Sequence, residues 1–174
     1  MDGAELVSRA VQGDEAAFEL LVRRHAAAAW RLAHTLLRDD FAAEEAVQDA
    51  FVKAHRALPT FRGDAAFSTW LLAITRRVCL DRLRLKRANI VPLDEARRVK
   101  AEVGDAALRV VLERAIAELP DAEREAFTLV DVLGYSREDA AAVVGVPPST
   151  MRSRVARARE RLAAALGDDL RAAL

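Results

Sequence analysis

Residues 134–159 constrain the fold more than any other part of the chain, because they read as a short helix, a glycine turn and an arginine-rich second helix. Ser136, with Asp139 three residues later, has the pattern of a capping box that opens the first helix. Gly145 makes the turn, and the two prolines that follow can begin a helix but cannot continue one. This order predicts a helix-turn-helix, a motif whose second helix enters the major groove of DNA.

The second predicted helix, over 149–166, has one apolar stripe with spacings of four, three and four, formed by Met151, Val155, Ala158 and Leu162. Hydroxyls and free backbone N–H groups in its first turn can hold a phosphate, and an arginine beyond that turn can donate two hydrogen bonds to guanine. An arginine-rich face is also typical of a solvated helix, but the capped helix and the glycine turn before it favour DNA binding. The predicted DNA contacts of this helix are Ser149, Thr150, Arg152, Ser153, Arg154, Ala156 and Arg157.

Basic and acidic residues alternate in blocks along a chain whose net charge is zero, with 27 Lys and Arg against 27 Asp and Glu. Residues 76–87 contain six basic residues and one acid, and residues 151–161 contain five arginines and one glutamate. Residues 1–50 and 102–145 each contain ten acids. Two separated basic patches are typical of two DNA contacts. The acidic blocks would stay off DNA and are available to a protein partner.

The composition favours an all-α chain with two helical domains. Of the 174 residues, 52% are hydrophobic, which is enough to bury a core, and Gly and Pro are scarce at 7 and 5. The helical pattern weakens over 88–104, so we predict one domain over 1–87, a flexible linker over 88–104 and a second domain over 105–174. The N-terminus has no basic stretch followed by an apolar run, and no apolar run is long enough to span a bilayer. These features predict a cytoplasmic protein without membrane insertion.

No pattern of catalytic or metal-binding residues stands out. His25, His34 and His55 have no carboxylate or cysteine at ligand spacing, and Cys79, which lies between apolar residues, is predicted to be buried. No Ser-His-Asp set, phosphate loop or paired-carboxylate site is evident. The sequence therefore predicts a protein that is not an enzyme and that uses no metal, cofactor or small-molecule substrate.

Three segments, in this order, resemble the extracytoplasmic-function branch of the sigma-70 family, the small bacterial sigma factors. Residues 43–54 are similar to region 2.2 of the family, residues 61–74 to regions 2.3 and 2.4, and residues 119–162 to region 4. The resemblance covers nearly the whole chain. It implies an all-α alternative sigma factor that binds core RNA polymerase and directs promoter-specific transcription initiation.

The resemblance also implies what each region contacts. In the family, region 2.2 docks on the clamp helices of the largest polymerase subunit, and region 4 reads the upstream promoter element. Regions 2.3 and 2.4 open and read the element nearest the start site. An anti-sigma factor is a further partner that the family implies. The implied polymerase contacts are Glu44, Glu45, Gln48, Asp49 and Phe51.

Capture of a displaced DNA strand gives a physical reason for the near-element site. Opening a duplex without ATP requires pockets and a cationic groove that hold unpaired bases and phosphates. The loop at 61–67 beside the basic helix has these ingredients, although Phe67 and Trp70 at helical spacing are more typical of a core. Arg77 departs from the Asn that family members often carry. The implied near-element contacts are Arg62, Asp64, Ala65, Arg76, Arg77 and Arg84.

The residues alone leave two other functions open. A conventional transcription regulator can end in the same motif and would bind an operator as a dimer without polymerase. The N-terminal half, however, lacks the alternating strand and helix pattern of a receiver domain. A sigma mimic that only titrates an anti-sigma factor would keep the fold, but it should lack the basic DNA-contacting residues that are present here.

Overall fold

The computed structural model describes residues 3–88 and 106–172, with the side chains of 3–86 and 111–167. Apart from Ala88, the predicted linker therefore lies outside the described residues. The chain forms two compact units, one built on the helices of its N-terminal half and the other on helices of its C-terminal half.

Regular structure in the described residues is helical, as the sequence predicts. A 3₁₀ turn (Leu58–Thr60) follows the third helix, and a π-helical turn (Thr128–Val132) follows the sixth. None of the helices in these ranges is both long enough and apolar enough to cross a membrane. The helices, in chain order, are α1 (Gly3–Val11), α2 (Glu15–Leu37), α3 (Asp40–Ala57), α4 (Phe67–Ala88), α5 (Ala106–Glu118), α6 (Asp121–Phe127), α7 (Arg137–Val144) and α8 (Pro148–Ala172).

Aspartates begin α2 and α3 by accepting backbone hydrogen bonds. Asp14 Oδ1 accepts from the Ala17 amide at 3.0 Å, and Asp39 Oδ1 accepts from the Ala42 amide at 2.7 Å. Each bond satisfies an N–H group that the helix cannot pair by itself. The bond from Ala17, together with the Arg9 guanidinium, lowers the pKa of Asp14.

Alanines let the helices of the first unit approach closely. In this unit α2, α3 and α4 pack against one another, and α1 packs on α2. Four fully buried alanines lie in their shared core, where a small side chain allows two backbones to come near each other. The prediction that Cys79 is buried is confirmed. The buried residues of this core are Ala33, Ala43, Ala46, Ala50, Val78 and Cys79.

In the second unit, α5 and α6 pack against α8. The predicted apolar stripe of α8 is confirmed, because all four of its residues are buried. Arg124 of α6 links the end of α5 to α6. Its buried guanidinium donates to the carbonyl of Leu119 at 2.7 Å and to that of Ala117 at 3.3 Å. The same guanidinium pairs with Asp121. These bonds satisfy carbonyls that the end of α5 would otherwise leave unpaired.

The boundaries of α7 and α8 follow the sequence signals. Ser136 Oγ accepts a hydrogen bond from the Asp139 amide at 3.0 Å and donates to Asp139 Oδ2 at 2.6 Å, which confirms the predicted cap. Gly134 and Gly145 have φ values of +74° and +75°, a left-handed conformation that glycine adopts readily. α8 then begins at Pro148, where the N–H that proline lacks is not needed.

Replacing Ser136 with alanine removes the side-chain cap of α7. We expect Ser136→Ala to lower the free energy of unfolding by about 1 kcal/mol, because an N–H group at the helix start loses its partner. Ser136→Asp keeps an acceptor at the same place and should lose much less. Urea denaturation of the full chain, followed by circular dichroism, measures both changes. Equal losses in the two variants would contradict the capping role.

Candidate nucleic-acid interface

Opposite its buried stripe, α8 exposes a strip of small polar and basic side chains. The seven predicted upstream contacts all lie on this helix within about two and a half turns of its start. The small side chains in the strip would let the helix backbone come close to base pairs. The exposed residues are Ser149, Arg152, Ser153, Ala156 and Arg157, and the half-buried ones are Thr150 and Arg154.

In the first turn of α8, hydroxyl groups are more available to a phosphate than backbone amides are. The Thr150 amide already donates to the carbonyl of Pro147 at 3.0 Å, and Pro148 has no N–H. The Ser153 hydroxyl donates to the Thr150 carbonyl at 2.9 Å, which leaves its oxygen able to accept. A phosphate at this end would therefore meet the Ser149 and Thr150 hydroxyls, but fewer free amides than the sequence predicts.

Three arginines near the middle of α8 pair with carboxylates from earlier in the same unit. Arg157 Nε lies 3.3 Å from Glu123 Oε1, and Arg161 Nε lies 2.8 Å from Glu123 Oε2. Arg159 Nη2 lies 2.6 Å from Asp131 Oδ1, and hydrogen bonding to Asp131 raises the pKa of Arg159. Sequence reasoning missed these pairs because no local spacing links the two carboxylates to α8.

The three loop residues predicted to hold a base line a single cavity in the first unit. Arg62, Asp64 and Ala65 surround a space of about 340 Å³ together with Phe61 and Trp70. The three loop residues themselves are exposed. A guanidinium, a carboxylate and an aromatic ring at one opening can hydrogen-bond to the edge of a base and stack on its face.

An aromatic cluster lies beneath this loop. The ring centroid of Phe61 lies 5.0 Å from that of Trp70 and 5.9 Å from that of Phe67. Phe67 is buried, as its helical spacing predicts, whereas Trp70 is half-buried and lines the cavity as well. His25 packs at 5.5 Å from Phe67, and burial lowers the pKa of His25, which favours the neutral imidazole.

Exposed arginines continue along α4, away from the cavity. Trp70, Arg77 and Arg84 follow at intervals of seven residues, about two helical turns, so they share one face of α4. Arg77 and Arg84 are exposed, and Arg84 lies 3.6 Å from Asp81. Arg76 is half-buried and lies about 100° around the helix from this row.

α3 presents the predicted polymerase contacts in two ways. Glu44 and Gln48 are exposed. Glu45 and Asp49 are exposed too, but they accept hydrogen bonds from Arg82 of α4, at 2.8 Å and 2.5 Å. These bonds, of which the one to Asp49 is the stronger cause, raise the pKa of Arg82. An arginine from the predicted DNA-binding block therefore holds two acids of α3.

Phe51 does not lie on this surface. Its side chain is only 9% exposed and belongs to the core of the first unit, which corrects its assignment as a polymerase contact. Phe51 can support α3 from inside but cannot meet a partner directly. The large apolar side chains that α3 does expose are Phe41, at 70%, and Val52, at 50%. Neither was a predicted contact.

Comparison with family models assigns a region to each half of the chain. Residues 21–89 match sigma-70 region 2, and residues 109–162 match sigma-70 region 4. Together the two matches cover more than half of the chain. They contain the loop cavity, the acidic face of α3 and the first turns of α8.

Individual relatives are similar to this chain over most of its length. The ECF RNA polymerase sigma factor SigM of Mycobacterium tuberculosis is 42% identical over 165 residues, which cover 94% of this chain and 84% of SigM. The sigma factor RpoE of Bartonella quintana, solved with the anti-sigma factor NepR, is 29% identical with a TM-score of 0.75 over 86% of this chain and 96% of RpoE. CnrH, solved with the cytosolic domain of CnrY, is 31% identical with a TM-score of 0.74 over 97% of this chain and 99% of CnrH. The chain therefore belongs to the extracytoplasmic-function branch of the sigma-70 family, whose members direct RNA polymerase to specific promoters.

Proposed function

We propose that the domain over 1–87 binds core RNA polymerase and the near promoter element, and that the domain over 105–174 reads the upstream element. The observation that carries this assignment is that each unit presents its own basic surface. In the first unit this surface is α4 with the loop cavity, and in the second it is the start of α8. As an alternative sigma factor, the chain acts in the cytoplasm as an initiation factor and performs no catalytic step itself.

The loop cavity suits a base that has left the duplex. Arg62 and Asp64 offer a donor and an acceptor to the base edge, and Trp70 offers a ring face for stacking. Arg77 and Arg84, along the same face of α4, can hold phosphates of the displaced strand. Because these contacts exist only with the opened DNA, binding shifts the equilibrium toward melting without ATP.

The first turns of α8 suit the major groove at the upstream element. Arg152 can donate two hydrogen bonds to guanine, while Ser149 and Thr150 hold a phosphate. Ser153 and Ala156 are small and exposed, so they allow the helix to approach the bases. We expect weak DNA affinity for the chain alone, because polymerase must hold the two small basic surfaces at the right separation.

The exposed side of α3 suits a basic surface on polymerase. Glu44 and Gln48 provide the polar contacts, and Phe41 beside them provides an exposed apolar side chain. Opposite charge on the partner would speed association and fix its orientation. Arg82 holds α3 against α4, which keeps this surface in one geometry.

An anti-sigma factor is a further proposed partner. The sigma factor RpoE of Bartonella quintana was solved with such a protein, and its fold matches most of this chain. A protein that covers α3 or the start of α8 would block polymerase or DNA directly.

Arg152→Ala should weaken binding of the holoenzyme to the upstream element by about 1–3 kcal/mol, because a base-edge contact is lost. Arg114→Ala is the control, since it removes an exposed arginine of α5 whose partner is Glu118. Binding is measured with promoter fragments and reconstituted holoenzyme. Unchanged promoter preference in Arg152→Ala would contradict the assignment.

Trp70→Ala should reduce open-complex formation by about 5- to 150-fold, because loss of base stacking costs about 1–3 kcal/mol. Permanganate reactivity of promoter thymines measures melting. Trp70→Phe keeps a ring at the cavity and should retain most of the signal. Transcription from a template with a pre-opened bubble should be restored in Trp70→Ala. A defect of the same size on that template would show that the ring acts elsewhere.

Glu44→Arg should weaken binding to core RNA polymerase by about tenfold, because a cation replaces an anion on a surface that faces positive charge. Glu5→Arg makes the same charge change at an exposed position of α1 and should have little effect. Competition for core polymerase against a labelled wild-type chain measures the affinity. Equal affinities of the two variants would exclude this face of α3 from the interface.

A further inference from the structure

Five arginines of α8 lie along two edges that flank its exposed face. Arg154, Arg157 and Arg161 follow at spacings of three and four, which places them on one edge. Arg152 and Arg159, seven residues apart, share the other edge. Each edge therefore runs from the proposed DNA-contacting turns to the middle of the helix.

Carboxylates occupy the C-terminal part of each edge. Glu123 of α6 meets Arg157 with one oxygen, at 3.3 Å, and Arg161 with the other, at 2.8 Å. Asp131 of the π-helical turn accepts from Arg159 Nε at 3.2 Å and from Arg159 Nη2 at 2.6 Å. Three arginines of α8 are thus held by two acids that come from other elements of the second unit.

The Glu123 carboxylate is tightly bound to its cations because it is buried. Its side chain is only 9% exposed, and among the described residues its Oε2 atom has the Arg161 guanidinium beside it but no well-aligned hydrogen bond. A buried carboxylate is stable only with a paired cation. If Arg157 and Arg161 bound DNA phosphates instead, the buried charge of Glu123 would have no paired cation.

The N-terminal part of each edge is different. Arg152 and Arg154 make no ion pair with any residue that the structure describes. On the exposed face between the edges, Glu160 lies one turn beyond Ala156 and would repel a phosphate there. Positive charge on α8 is therefore available at its start and neutralised farther along.

We propose that Glu123 and Asp131 are specificity-determining residues, which withhold Arg157, Arg159 and Arg161 of α8 from DNA phosphates. This inference rests on the proposed DNA binding by α8, and it removes Arg157 from the predicted contacts. Phosphate contacts strengthen binding to every sequence, whereas base contacts distinguish promoters from other DNA. The two acids confine DNA contact to the turns that reach base edges, and so they lower affinity for DNA without a promoter.

Glu123→Gln tests the proposal, because it keeps the size of the side chain and removes its charge. Each arginine released to a phosphate steepens the dependence of log K on log salt by about 0.9, so we expect a change of up to about 1.8. Binding to a duplex without promoter elements should tighten by at least about tenfold at about 50 mM salt. Fluorescence anisotropy of the full chain across a salt series measures both. Asp131→Asn should steepen the slope by up to about 0.9.

Asp121→Asn is the matched control. It removes the same charge from the same helix, but the partner of Asp121 is Arg124, whose side chain is only 6% exposed. Arg124 is also bound to two backbone carbonyls, so it cannot reach DNA. We expect the wild-type slope in this variant. Thermal melting of all three variants checks that each is folded.

A Glu123→Gln slope equal to that of Asp121→Asn, in folded protein, would overturn the proposal. Weaker binding of Glu123→Gln to the duplex would also overturn it, because the carboxylate would then serve only to hold α8 in place. If Glu123→Gln does not fold, the Asp131→Asn slope decides alone: an increase supports the proposal and no change overturns it. Failure of the proposed function appears elsewhere, as promoter selection by the holoenzyme that does not respond to Arg152→Ala.

Discussion

In both units, arginines on one helix pair with carboxylates on another element, and these pairs decide which basic side chains remain available to DNA. Arg82 of α4 pairs with Glu45 and Asp49 of α3, and Glu123 of α6 pairs with two arginines of α8. The net charge of the chain is zero, and contacts between its acidic and basic blocks neutralise part of the charge locally. Arg62 and Arg77, near the loop cavity and along α4, and Arg152 and Arg154, at the start of α8, lie outside these pairs, in the two places proposed to bind DNA.

Features that depend on sequence neighbours could be predicted. The apolar stripe of α8 and the cap at Ser136 each depend on spacings of three or four residues, and the structure confirms both. The loop at Arg62 also depends on sequence neighbours, because six consecutive residues, 60–65, and the nearby Trp70 line one cavity. Here a short segment brings the candidate groups together without long-range packing.

Features that depend on how helices approach one another could not be predicted. The pairs of Arg82 join residues 33 and 37 positions apart, and that of Arg159 spans 28, so no spacing rule reveals them. Phe51 lies beside the buried alanines of α3 at helical spacing, so its burial agrees with the apolar face of that helix. The resemblance assigned it to polymerase binding, but packing places it in the core. The π-helical turn that positions Asp131 also has no local sequence signal.

Transcription from a library of genomic fragments by core RNA polymerase, with and without the chain, tests the central claim most directly. The account predicts discrete new start sites that require the chain. Alignment of those starts should reveal two shared DNA elements at a fixed separation, one near the start for the loop and α4, and one upstream for α8. A folded chain that adds no start sites to an active polymerase would contradict the account, and binding of the same chain to DNA without polymerase would then favour a conventional regulator.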